Sequence, residues 1–532
     1  MFVLADRIRA ILGMSAVILI SRLLGLGREL VVASRFGTTH EFDLYLIALM
    51  FPALAYSVIN FASYYLLVPF FTRHLKKADS DSLGKLYWRA VWPLVNHLVV
   101  ISLAATALLA FAGPYLVHLW VGDLSGPEMV TITFYSRLLA AMVLLGVIDA
   151  FLRAVLNTHR VFAYTAGAPV VENFVVILTI IAFSATLGVG AIAYGMLGGM
   201  LLQNIYLFIR VIKLRPFAGF RWSIYSTETG SLLASAGILV IIELVNRSYF
   251  LIDRYVALPF GDGIVSALNY GQIITQLPDS VIGLAIASVL FPLFAETGSR
   301  LELDRFGDIY RRGIVGGLFI ALPMALICFV FSHELVYVLF HRGQFDLTSV
   351  EKTGDLLRTL APTVAVLFVI STSIRACYSL GLSKMIFWLA VGAFAVKAVG
   401  SVVLAKLMGY PGIGLATTLA TTSYAVSLVV LVVRRLEVSQ RSSITRSLWR
   451  LLPITGVLCV ITILFKPLAG EINADTIWGE MLLKMIGTVI GTVGLFFILS
   501  IPLGLGDYVK ELVHRTSATP EEVEAYDDAH MR

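Results

Sequence analysis

The sequence predicts an all-α polytopic membrane protein of about 14 transmembrane helices, two six-helix lobes in parallel pseudo-repeat plus two C-terminal helices. Three observations predict it. Of the 532 residues, 58% are hydrophobic and only 14% charged, whereas a soluble domain is about a quarter charged and at most about half apolar. Basic residues crowd every second loop between apolar runs. Short motifs recur at a near-constant offset of about 222 residues.

Hydrocarbon about 30 Å thick needs roughly 20 apolar residues per helix. Runs that meet this need lie near 9–34, 42–71, 90–112, 130–156, 162–187, 190–212, 231–256, 263–295, 313–340, 353–379, 384–406, 412–434, 450–466 and 482–503. The first run holds Arg22 and Arg28 and has no small-residue cleavage site after it, so it reads as a span and not a signal peptide. Arg73, Lys76, Lys77, Lys85 and Arg89 follow the second run; Arg210, Lys213, Arg215 and Arg221 follow the sixth; Arg434, Arg435, Arg441 and Arg446 follow the twelfth. The intervening loop 113–129 has no Lys or Arg, and 467–481 is acidic. This alternation is the positive-inside rule, and it places both termini in the cytoplasm.

The repeat reads as follows. Pro69 and Gly84-Lys-Leu-Tyr87-Trp-Arg89 correspond to Pro292 and Gly307-Asp-Ile-Tyr310-Arg-Arg312; Arg153-Ala154 corresponds to Arg375-Ala376; Gly190-Ala-Ile-Ala corresponds to Gly412-Ile-Gly-Leu. Six spans per half is an even number, so the halves share one orientation and are related by an axis along the membrane normal. The expected domains are 1–222, an N-terminal six-helix lobe; 223–440, a C-terminal six-helix lobe; 441–506, two appended helices; and 507–532, an acidic cytoplasmic tail with Glu521, Glu522, Glu524, Asp527 and Asp528. Repeats of this kind usually mean a transporter with substrate held between halves that rock.

Charges at membrane depth are costly and mark candidate sites. They include Arg22, Arg28 and Glu29 in the first run, Asp43 at the start of the second, Arg137, Asp149 and Arg153 in the fourth, and Glu172 in the fifth. Glu243, Arg247, Asp253 and Arg254 follow in the seventh run, Arg358 and Arg375 in the tenth, Lys397 in the eleventh, and Lys484 in the last. Arg22 and Glu29 share a helix face, and Gly25-Leu-Gly27 invites a helix break between Arg22 and Arg28. Glu243 and Arg247 have the spacing of an intrahelical ion pair. Arg153, Arg375 and Lys484 lie near span ends, where snorkelling accounts for them. The cationic excess in the first half suits an anionic group such as phosphate or diphosphate, which a guanidinium binds bidentately; Asp43, Asp149 and Glu172 keep a proton-coupled mechanism open.

Some chemistry is absent from the sequence. It has no GxxxxGK[ST], HExxH or GxSxG motif, and no loop exceeds about 25 residues, so an ATP-driven pump and an enzyme are not expected. Cys328, Cys377 and Cys459 lie far apart in apolar runs, which predicts neither a disulfide framework nor a zinc site. No cofactor and no nucleic-acid partner are expected; a coupling ion (H+ or Na+) or the membrane potential is the expected driving force.

Several motifs together resemble the MurJ/MviN family, lipid II flippases of the multidrug/oligosaccharidyl-lipid/polysaccharide exporter superfamily. They are Ser21-Arg22-Leu-Leu-Gly25-Leu-Gly-Arg28-Glu, Phe36-Gly37, Asp43, Ser266-Ala-Leu-Asn-Tyr270 through Leu277-Pro278, Leu290-Phe-Pro292, and Phe340-His-Arg-Gly343-Gln-Phe345-Asp. The resemblance covers most of the first 435 residues. It implies a flippase in the bacterial inner membrane for an undecaprenyl-diphosphate-linked glycan precursor, lipid II or a related oligosaccharide. It also implies an alternating-access cycle, a cationic cavity, and a groove for the lipid tail on the appended helices. The implied substrate-binding residues are Arg22, Arg28 and Asp43, with Asp43 closing one side by pairing with a cation. Membrane lipids and glycan synthases or polymerases are the expected partners. Where the family carries Pro-Asn-x-x-Arg-Arg, this chain has Pro52-Ala-Leu-Ala-Tyr56-Ser57; where the eighth span often has Ala-Asp-Arg and then Glu, it has Gly271-Gln272-Ile273 and Gln276. A cation-coupled multidrug or small-solute antiporter of the same superfamily is the alternative, and it predicts dispensable Arg22 and Arg28.

Overall fold

The computed structural model describes residues 2–76, 83–122, 125–214, 222, 237, 240–241, 243–245, 247–300, 302–470, 472 and 476–500. The expected acidic tail, most of the seventh run before residue 247, and the basic residues Lys77, Arg215 and Arg221 lie outside the described residues. Among the described residues there is helix and no strand. In chain order the helices are α1 (Phe2–Phe36), α2 (His40–Ala48), α3 (Met50–Lys76), α4 (Leu83–Val121), α5 (Gly126–Thr158), α6 (Phe162–Leu187), α7 (Gly190–Leu214), α8 (Tyr249–Ala257) and α9 (Ile264–Pro278). They continue as α10 (Leu284–Ser299), α11 (Leu303–Val330), α12 (Ser332–Phe340), α13 (Leu347–Leu360), α14 (Thr363–Ser379), α15 (Ser383–Met408), α16 (Pro411–Val433), α17 (Val438–Ala469) and α18 (Trp478–Ser500).

Among the described residues nine helices are long and apolar enough to cross a membrane, or ten if α13 and α14, bent by 44°, form one span. This agrees with about 14 spans once the exceptions are traced to their causes. The first expected span lies in α1, whose length suffices but whose charges Arg22, Arg28 and Glu29 lower its hydropathy. The eighth is cut after Pro278 by a π-helical turn, Asp279–Gly283. In the thirteenth the apolar part of α17 is Thr455–Leu468. Proline explains the breaks: it removes an N–H donor and crowds the preceding turn, as at Pro278 and at Pro362, between α13 and α14. Gly25 and Gly27 do not break α1, which runs through them. In hydrocarbon every backbone group must find an internal partner, so an unforced break is expensive.

The chain divides into two compact units, Met1–Ser266 with Arg342–Asp346, and Ala267–His341 with Leu347–Arg532. In the first, Leu67 and Phe71 of α3, Val91 and Leu94 of α4, Leu152 and Val155 of α5, and Leu207 of α7 form one buried cluster. In the second, α17 and α18 pack on α11 through Val315, Phe319, Leu451, Leu458 and Phe496. Large apolar side chains such as Leu119, Phe174, Leu407 and Leu483 point outward, the reverse of a soluble surface and the arrangement that lipid requires.

One end of the first unit is a tight knot of backbone. Gly37 (φ +53°), Gly263 (φ +83°) and Gly343 (φ +61°) sit in left-handed conformations. A side chain at Gly263 would strike the Thr38 carbonyl, one at Gly343 the Ser34 carbonyl, and one at Gly37 the Gln344 carbonyl. Gln344 N donates to Ser34 O over 2.9 Å, which ties the segment 342–346 to the end of α1. Gly263→Ala and Gly343→Ala should each cost about 1–3 kcal/mol or more through strain alone. Gly27→Ala, with open space around it, should leave thermal unfolding in detergent unchanged or slightly raised.

Candidate functional site

The buried charges of the first unit form two linked groups. On α5, Asp149 accepts from Arg153 Nε at 2.8 and 2.7 Å and from Gln203 Nε2 of α7 at 2.9 Å. Arg153 Nη1 donates to the Thr165 carbonyl of α6 at 2.7 Å. One carboxylate and one guanidinium thereby join three helices. Arg153 is thus a network member, and snorkelling at a span end does not describe it. Asn60 of α3 donates to Gly146 O at 2.8 Å, and Asn204 to Leu145 O at 3.0 Å, which adds a polar seam along α5.

The second group is on α1. Arg28 donates to Glu29 Oε1, with Nε at 3.0 Å, and Glu172 of α6 lies within its electrostatic reach. Arg28 remains partly exposed, its side chain 31% accessible, so the ion pair leaves guanidinium surface open. Arg22 is exposed and has no hydrogen-bond or ion-pair partner among the described residues. Glu29 is claimed by Arg28 and not by Arg22, the neighbour on its own face. Arg22 and Arg28 are therefore both on α1, one open and one half-occupied.

Asp43 is buried, 5% exposed. Its carboxylate accepts from the backbone N–H groups of Gly263 at 2.6 Å and Ser266 at 2.7 Å, so it caps the first turn of α9. Arg254 of α8 lies within its electrostatic reach without forming an ion pair; its guanidinium stands over the Phe250 ring, 5.1 Å from the centroid. The structure thus sets Asp43 apart from Arg22 and Arg28: its partners are backbone amides.

Beside this cap lies a cluster that sequence reasoning missed. His40 bonds Asp262 Oδ1 through Nδ1 at 2.7 Å and Glu128 Oε1 through Nε2 at 2.9 Å. A ring with a carboxylate on each nitrogen donates from both only as imidazolium. Burial opposes that charge, but Asp262 and Glu128 outweigh it and the His40 pKa is raised. Glu128 also accepts from Ser125 N and Oγ, at 2.7 and 2.6 Å. The three residues lie 88 or more positions apart, with no local signal to link them.

In the second unit Arg375 Nη1 donates to Ser371 O at 2.6 Å and to Ser371 Oγ at 2.7 Å. Lys397 is fully buried and donates to Thr417 Oγ1 and to Ile413 O. Lys484 pairs with Glu480 at 2.7 Å. The expected Glu243–Arg247 pair forms at 2.7 Å in the first unit. Among the described residues no three His, Cys, Asp or Glu side chains are grouped as a metal site.

The chain matches known proteins along most of its length. The model of the family "Lipid II flippase MurJ" matches residues 32–473. The chain belongs to the MurJ lipid II flippase family. Curated members include the lipid II flippase MurJ of Burkholderia cenocepacia, 24% identical over 422 residues, 76% of this chain and 80% of that one. The probable lipid II flippase MurJ of Rhizobium tropici is 26% identical over 471 residues, 85% and 86% of the two chains. Among solved structures, a MurJ in an inward closed conformation aligns with a TM-score of 0.73 at 18% identity, covering 92% of this chain and 99% of that one. An inward-facing MATE-family multidrug resistance transporter aligns at 0.67 and 14% identity, covering 80% and 96%. The last two show a shared fold. As a MurJ-family protein the chain is a multi-spanning bacterial inner-membrane transporter.

Two predictions follow from these charges. Asp149→Leu, which leaves Arg153 without its carboxylate, should cost about 3–5 kcal/mol of stability, and Asp149→Leu with Arg153→Met clearly less; thermal unfolding of the three variants checks the sign of the coupling. His40, with a raised pKa, contributes stability that is full below about 6.5, its unfolded value, and is lost as pH rises through the higher folded value. Amide exchange at Gly261 and Asp262, corrected for intrinsic rates, should therefore quicken as pH rises through the folded His40 value, and His40→Gln should flatten that dependence.

Proposed function

We propose that this chain flips lipid II across the bacterial inner membrane by alternating exposure of a diphosphate-binding surface to the two faces, with no covalent chemistry of its own. The family match over residues 32–473 carries the proposal. Within it, Arg28 is the principal diphosphate ligand: it is held in place by Glu29 yet keeps free donor surface. Arg22, open and unpaired among the described residues, adds a second positive charge on the same helix. Asp43 acts indirectly, by holding the start of α9 against α2. The two halves act as the moving bodies, both termini face the cytoplasm, and an ion gradient or the membrane potential resets the cycle. Glycan synthases would receive the product.

An apolar cavity of about 730 Å³ in the second unit supports the lipid part of this reading. Leu318 and Phe329 of α11, Val369 of α14, Val429 of α16, and Leu448 and Cys459 of α17 line it. A polyprenyl chain would gain about 25 cal/mol for each Å² of apolar surface it buries there. The appended helix α17 forms one wall.

The test is translocation of fluorescent lipid II in proteoliposomes at matched protein incorporation. Arg28→Ala should lower the initial rate at least about tenfold, one lost charge-assisted contact being worth roughly 1.5–3 kcal/mol. Arg28→Lys should keep part of it, because an ammonium attracts diphosphate without the bidentate fork. Full activity in both Arg22→Ala and Arg28→Ala would remove these two residues from the mechanism and favour the antiporter alternative.

A further inference from the structure

A second cavity, of about 880 Å³, lies in the second unit where the end of α17 meets the starts of α12 and α13. It is separate from the apolar groove and shares no lining residue with it. Its walls are fastened. Tyr337 OH donates to Thr476 O at 2.6 Å, Trp478 Nε1 to Val338 O at 2.9 Å, and Lys466 Nζ to Val330 O at 3.1 Å.

Inside it is an unanswered carboxylate. Glu334 is 6% exposed, and its Oε2 is buried with no hydrogen-bond partner. His333, the adjacent ring, is already engaged by Asp355 at 3.2 Å and Ser332 at 3.2 Å. Glu351 brings a second carboxylate to the cavity, from the exposed side of α13. Lys466 faces them from α17; one of its three N–H groups is spent on Val330, and two are left. Burying a carboxylate without a donor is costly, and such groups in native structures call for an explanation. A ligand that brings N–H donors supplies one.

The cavity's surroundings specify what carries those donors. The apolar span α11 ends at Val330, the residue that Lys466 touches. On α17, Ile463, Leu464 and Leu468 are 55%, 70% and 60% exposed, an apolar strip turned to lipid. Trp478, half-exposed with its N–H bonded, has the amphipathic character of a residue at the membrane–water boundary. The cavity therefore opens where a phospholipid headgroup would lie.

The geometry points to a headgroup site for an aminophospholipid of the phosphatidylethanolamine type, its primary ammonium on Glu334 and Glu351, its phosphate on Lys466 and its acyl chains along Ile463 and Leu464. The charge order fits this headgroup and discriminates against others. Phosphatidylcholine has the same charges but no N–H to give the carboxylates. Phosphatidylglycerol has no cation. The inference stands whether or not lipid II is the transported species.

The experiment uses the purified full chain in detergent, titrated separately with dioleoyl phosphatidylethanolamine, phosphatidylcholine and phosphatidylglycerol. Retained lipid is counted by native mass spectrometry and the melting temperature is read in parallel. Phosphatidylethanolamine should be retained at least about tenfold better than phosphatidylcholine, the loss expected for one charge-assisted bond. It should also raise the melting temperature. Glu334→Gln should abolish the preference while melting like the parent in phosphatidylglycerol, and Lys466→Gln should weaken retention without restoring phosphatidylcholine binding. Equal retention of the two zwitterionic lipids, or an undiminished preference in Glu334→Gln, would overturn the assignment. So would competition by soluble phosphoethanolamine at the lipid's own concentration, which would make the ligand a soluble zwitterion.

Discussion

An ionised carboxylate among apolar helices must find donors within the protein, and the Asp149 side chain is where the first unit meets that demand. Its two oxygens take Arg153 from its own helix and Gln203 from α7, and Arg153 carries the connection on to the Thr165 carbonyl of α6. The gain in raw stability from such a pair is modest, because desolvation offsets much of the attraction. Its larger effect is on register. Van der Waals contact between Leu and Val faces tolerates sliding, whereas a guanidinium, an amide and a carboxylate satisfy one another at one alignment only. Helix α1 packs along α6, so the placement of Arg28 and Glu29 inherits the alignment that Asp149 sets.

The end of the same unit is held by a different means. Asp43 caps α9, His40 joins Asp262 to Glu128, and the glycines at 37, 263 and 343 let three backbone segments touch. Here the constraint is steric and local, with no room for a Cβ. Several motif residues of the family resemblance, Phe36-Gly37, Asp43, Ser266 and Gly343-Gln-Phe345, fall in this knot. For a transporter that alternates between states, such a knot gives the unit one rigid end while Arg22 stays open and Arg28 is braced by Glu29.

Much of this was legible in the residues. Length and hydropathy give the spans, and the four-residue spacing of Glu243 and Arg247 gives their ion pair. Prolines inside the apolar runs read as breaks only in part: Pro278 and Pro362 fall at breaks, whereas Pro69, Pro169 and Pro323 lie inside unbroken helices. These are local signals, with cause and consequence a few positions apart. What could not be read is non-local. Asp43 meets Gly263 across 220 residues, and His40 meets Glu128 and Asp262 across 88 and 222. Each charge alone looks like a solvated loop residue or a substrate ligand. Gly25 and Gly27 suggested a break because glycine weakens a helix in water; in hydrocarbon the backbone has no solvent to turn to, and α1 stays whole. Arg22 and Arg28 read alike in the sequence, and the structure distinguishes them: Arg28 is braced by Glu29, and Arg22 stands open.

Transport of lipid II by this chain is best measured by expressing it in a bacterium depleted of its own lipid II flippase, with membrane insertion verified. The parent chain should restore growth and lipid II turnover, and an Arg28→Ala chain inserted at the same level should restore neither. A well-inserted parent chain that fails to restore growth while lipid II accumulates on the cytoplasmic side would contradict such transport.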